Sequence, residues 1–255
     1  MSAFGDIYEE IRERFEEAIA DDPQCKRLIK KVQRGQASYL DAHEYAVRVG
    51  MNASKTLVEK LCDDNGLLPT EMSQELIESY RTIVTGIMED SFGLSADYAR
   101  MVQENANKAA NIGLKAQEAE LDVERCTTLA ERVATEGRGA EWLLDEPIIN
   151  HSQHAVDATI EANAKQHSKF GLKPKMVRIY DASEVCEWCE ALAGEYYYGE
   201  QPPDFFRRHD RCRCNIDYMT ASGKTKVWST EVVGSERTYV KKTSKKGGSY
   251  YARTK

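Results

Sequence analysis

The chain has 255 residues, with 42 acidic side chains against 35 basic ones and a net charge of −7. A mean hydropathy of −0.60, 30% charged residues and the lack of any apolar run of about 18 residues exclude a helical integral membrane protein. The acidic, amphipathic start, Met1 to Phe15, does not read as a signal peptide.

In chain order, residues 1–170 read as helical. Ile7, Ile11, Phe15, Ala18 and Ile19 recur at three- and four-residue steps. A second helical stretch covers 38–62 and ends at the Asp63-Asp64-Asn65-Gly66 turn signal. A third, 71–90, follows Pro69 and is expected to break at Ser91-Phe92-Gly93. A long Ala-, Glu- and Gln-rich pattern from Ser95 to about Ala134 reads as one weakly apolar helix, with Gly113 as a bend. The stretch 139–168 is a further helix, capped or kinked by Pro147. Helices this poor in large apolar residues imply an elongated region that packs on something else, within the chain or beyond it.

After Gly171 the texture changes. Lys175–Tyr180, Glu195–Tyr198, Cys214–Tyr218 and Lys224–Trp228 read as strands, the last two joined by a turn at 221–223. The fold class is therefore α+β: a helical docking region over 1–170, a small β-rich module over 171–230, and a basic tail over 231–255. Charge divides the same way, with −12 over residues 1–170 and +5 over 171–255. The tail reads as solvated and disordered, and its cations allow a local electrostatic contact.

Four of the seven cysteines fall within 29 residues. Cys186-x-x-Cys189 is followed by His209-x-x-Cys212-x-Cys214, which offers five soft or borderline donors for the four positions of a tetrahedral metal. The spacing leaves open which donor is surplus. A full donor set points to a structural Zn2+ that adds folding energy and keeps no coordination position for a reacting water. A redox dithiol lacks its βαβ context, and paired disulfides lack a secretion signal. Cys25, Cys62 and Cys126 read as small buried hydrophobes. His43, His151, His154 and His167 read as surface or core residues of helices, His151 and His154 being at most a weak metal pair. Asp181, Glu184, Glu187 and Glu190 read as solvated turn acids, so no catalytic residue is assigned. Arg207, Arg208, Arg211 and Arg213 either bind phosphate or pair with those acids, and the sequence leaves both open.

Val185 to Gly194, Tyr196-Tyr197-Tyr198 and Arg208 to Cys214, with Arg178 to Asp181 upstream and Tyr218 downstream, resemble the Mu F-like minor head proteins of tailed bacteriophages. The resemblance covers about residues 177–230. One departure is Asp210, where many members carry proline after the histidine. The resemblance implies a non-enzymatic virion component, made in the host cytoplasm and placed in the capsid interior at the portal vertex. Its implied partners are the portal protein, the major capsid or scaffolding protein, and packaged DNA reached through Arg207, Arg208, Arg211, Arg213 and the tail. It also implies that Cys186, Cys189, His209, Cys212 and Cys214 are the metal residues. The alternatives are a zinc-supported, HNH-like nuclease using His209 with Asn215, or a host nucleic-acid-binding zinc protein.

Overall fold

A computed structural model of the chain describes residues 3–181, 186–219, 239–243 and 249–253. It is mainly helical with a small sheet towards the C-terminus, an α+β fold. The helices are α1 (Ala3–Asp21), α2 (Pro23–Gln33), α3 (Tyr39–Leu61), α4 (Gln74–Ala109), α5 (Val123–Glu136), α6 (Glu146–Lys169) and the short α7 (Glu187–Leu192). The strands are β1 (Lys175–Asp181), β2 (Gly194–Tyr197), β3 (Asn215–Met219), β4 (Tyr239–Thr243) and β5 (Ser249–Arg253).

Local chemistry sets most of the helix starts. Asp22 accepts from the amides of Gln24 and Cys25 at 2.7 and 3.0 Å, with Pro23 in the first turn of α2. Ser38 and Asp41 form a reciprocal capping box at the head of α3. Pro147 sits in the first turn of α6, so it opens that helix and does not kink it.

The expected break at 91–93 does not occur. α4 runs through it because Ser91 and Phe92 are buried, and the Ser91 and Ser95 hydroxyls donate to Met88 and Ser91 carbonyls within the helix. A side chain at Gly93 would meet open space, so that glycine costs only its propensity, about 1 kcal/mol. The real interruption lies at 110–122, where the chain passes Asn111 at φ 54° and continues without regular structure to Asp122. The expected helix over 95–134 is therefore two helices joined by an irregular segment. The side chain of Asn163 in α6 holds that segment, pairing with the Gln117 backbone N–H and C=O at 2.8 Å each.

β1 is the centre of the sheet. It pairs antiparallel with β2 (Lys175 opposite Tyr197) and with β3 (Lys175 opposite Met219), and parallel with β5 (Ile179 opposite Tyr251). β4 pairs antiparallel with β5. β4 and β5 both fall inside the stretch assigned to a basic tail. The expected strand at 224–228 and its turn lie outside the described residues.

Helices and sheet share one core. Phe15, Leu28, Leu57, Ile87, Leu144 and Ile148 are fully buried in the same cluster as Met176, Phe205, Ile216 and Tyr218. Each of Met176, Phe205 and Ile216 contributes about 1.5–3 kcal/mol by leaving water, so the helices find their packing surface within this chain. α3 and α6 approach closely at Gly50, where an added Cβ would lie 2.7 Å from the Ile149 Cα. Gly50→Ala is accordingly expected to lower the melting temperature, since overpacking costs about 1–3 kcal/mol and exceeds the gain of about 1 kcal/mol in helix propensity. A variant that melts higher than the parent would show that the two helices do not cross there.

Candidate metal centre

The site is assembled where β1 ends, α7 begins and the irregular loop 198–214 returns towards β3. Cys186 is the N-cap of α7, and its Sγ accepts the Cys189 amide at 3.3 Å. One helical turn thus points both thiols the same way. From the other side comes His209, whose Nδ1–H donates to the Asp210 carbonyl at 2.5 Å. That bond fixes the tautomer and leaves the Nε2 lone pair facing Cys189 Sγ at 2.8 Å and Cys186 Sγ at 3.3 Å. Trp188 packs edge-on against the same imidazole ring. Cys212 Sγ lies 4.0 Å from Cys189 Sγ, and Cys214 completes a second group of three.

The five residues therefore form two triads, Cys186–Cys189–His209 and Cys189–Cys212–Cys214. Within each, all donor atoms lie within 4.8 Å of one another, and Cys189 belongs to both. About a tetrahedral ion with legs of about 2.0 Å to nitrogen and 2.3 Å to sulfur, ligand atoms sit roughly 3.5 Å (N to S) and 3.8 Å (S to S) apart. The 3.3 and 4.0 Å separations lie near those edges, while Cys189 and His209 at 2.8 Å sit closer than a bound ion would hold them, and the residue types and their convergence fit a metal ion.

Charge within the cluster is unevenly held. Hydrogen bonds from the Cys189 and Cys214 thiols, helped by the Arg208 charge and opposed by burial, hold the Cys212 thiol far below its usual range. Cys189, as donor to Cys212 and Cys214, is held far above it. Cys214 is pulled down by Cys189, but the hydrogen bond to Cys212 and burial prevail and push it up to about 12. One thiolate is thus shared by two thiols, and a metal ion bound here would displace their protons.

No family model, curated protein or solved structure matches this chain. Its own donors and their neighbours carry the functional argument.

Of the four arginines, two turn away from solvent. Arg208 is buried and bidentate on Asp157 of α6 at 2.5 and 2.9 Å, and it also donates to the Cys214 carbonyl at 2.9 Å. Arg213 pairs with Glu146 of α6 at 2.7 Å. Their partners are acids of α6, not the acids beside Cys186 and Cys189. Arg207 is exposed and pairs locally with Asp204 at 3.1 Å. Arg211 is exposed and sits at φ 55° on the loop tip.

Sequence reasoning missed the supporting residues. Arg178, fully buried on β1, donates to the carbonyls of Phe205 and Arg207, and its guanidinium lies over Trp188. His43 of α3 is buried against β3. With Arg208 donating to its Nδ1 at 3.3 Å, its Nε2–H donates to the Ile216 carbonyl at 3.0 Å. His151 is fully buried beside Cys126 Sγ at 3.5 Å, and Cys25 and Cys126 are buried as expected of small hydrophobes. Cys62 is half-buried. Glu187 is exposed and Glu190 half-buried, while Glu184 lies outside the described residues.

Proposed function

We propose that this chain is a structural, non-catalytic minor head protein of a tailed phage whose Cys/His cluster holds one structural Zn2+. The observation that carries the reading is convergence. The five residues of the Mu F-like motif, split by nineteen intervening positions in sequence, come together as two triads that share Cys189, the donor atoms of each lying within 4.8 Å of one another. Zinc suits a set of thiolates plus one imidazole, and with donors in excess of four it would be held for shape. When bound, the ion would supply a fixed cross-link between α7 and the loop ahead of β3.

In this reading the protein is made in the host cytoplasm, associates with the portal and the capsid or scaffolding protein during head assembly, and stays in the capsid interior. A contact with packaged DNA would use Arg207, Arg211 and the cations of the tail, because Arg208 and Arg213 are engaged by α6. No helix among the described residues is long and apolar enough to cross a membrane. The deciding experiment purifies proheads and virions and probes them for this chain, alongside pull-down of a portal ring. Presence in the particles, with one zinc per chain by metal analysis, is the expected result. Absence from proheads and virions alike would end the assignment.

A further inference from the structure

The loop that delivers His209, Cys212 and Cys214 has almost no ladder to hold it. Its carbonyls are caught by side chains instead. Phe205 and Arg207 are bound by Arg178, His209 by Asn150, Cys212 by Gln153, and Cys214 by Arg208. Asn150 donates at 3.1 Å; Gln153, with its amide nitrogen towards the loop, donates at 3.1 Å and accepts from Arg208 Nη1 at 3.2 Å. Add Asp157, which grips Arg208, and Glu146, which grips Arg213, and four residues of α6 engage the loop. They are positions 146, 150, 153 and 157, spaced four, three and four apart, which places them on a single face of the helix. Asn150, Gln153 and Asp157 are buried, so this face looks inward although its residues are polar.

We propose that this polar face of α6 is the positioning element of the metal site, setting the backbone on which three of its five donors ride. The inference rests on the metal reading above. Groups behind the ligands commonly alter metal affinity 10- to 100-fold when removed, because they fix the orientation in which the donors are offered. Here they fix it through main-chain carbonyls, which makes the helix and the ion mutually dependent. A helix that favours the bound loop is itself favoured by the bound ion, by the same factor.

The test measures zinc affinity of the full chain by competition with a chromophoric chelator. Asp157→Asn leaves Arg208 buried with a weakened partner and risks misfolding, so the informative variants are Gln153→Met and Asn150→Ala. Lys165→Ala, exposed on the same helix and off this face, serves as the control. The expected result is zinc binding weakened about tenfold or more in both variants, with parental helical circular dichroism and an unaltered control. Zinc bound by the parent, with both variants within twofold of it, would overturn the positioning role and leave the metal reading standing. An equal loss in Lys165→Ala would also overturn it, by showing a general effect of weakening α6. A parent chain that takes up no zinc would overturn the metal reading, and the inference with it.

Discussion

Cys189→Ser is expected to abolish metal binding and to lower the stability of the helices together with the sheet. Cys189 is the one donor common to both triads, so its loss leaves neither of them complete. Structural zinc contributes about 10–16 kcal/mol of apparent binding free energy in isolated zinc-finger peptides. In this chain Asn150, Gln153 and the Arg208–Asp157 pair also hold the loop, so the loss is smaller than that range, yet above about 4 kcal/mol, the exceptional class for one substitution. Because Phe205, Ile216 and Tyr218 share their core with α3 and α6, the helical signal falls in the same transition. Cys186→Ser removes a half-buried thiol from one triad only and has a milder effect. Urea denaturation followed by far-UV circular dichroism, with zinc stoichiometry on the same samples, reads both effects. If the helices of Cys189→Ser melted at the parental midpoint, helices and sheet would be independent units after all.

Acid is expected to unfold the protein well above the range in which carboxylates titrate. Burial holds the imidazoles of His43 and His151 neutral, pushing them down to about 4 and about 3, and it lowers His154 and His167 as well. In the unfolded chain the same rings take up protons near pH 6.5. Between about pH 6.5 and 4 the unfolded state therefore binds more protons than the fold. Stability is complete above that window and is lost as the pH falls through it. Each histidine that stays neutral contributes a slope of up to about 1.4 kcal/mol per pH unit, so several acting together dominate the acid limb. Urea midpoints at a series of pH values measure the slope. His151→Met, which replaces a ring packed between Phe92 and Cys126, should flatten it by about one histidine's share. An unchanged slope would show that His151 is protonated in the fold.

The motif was legible in sequence because its chemistry is local. Cys186 and Cys189 are separated by two residues, Cys212 and Cys214 by one, and a thiol pair at such spacing has few other uses. The start of α6 at Pro147 is local too. What escaped depends on residues far apart in the chain. α4 passes Gly93 because Phe92 packs on Ala155 of α6, a neighbour that no window around Gly93 contains. The polar face of α6 reads as a solvated surface, since Glu146, Asn150, Gln153 and Asp157 carry no apolar signal. Only a loop more than fifty residues away makes them interior. His43 is further still, bonded to Ile216 across 173 positions.

That face of α6 also bears on the order of synthesis. Asp157 leaves the ribosome 57 residues before Cys214, roughly 3–11 s earlier at about 5–20 residues per second. α3 and α6 can pack before any cysteine of the cluster has emerged. The His209 and Cys212 carbonyls then meet waiting donors on α6 as the loop emerges, and the thiols are gathered by a surface made in advance of them. A nascent chain arrested between the two would carry the finished receptor without its loop.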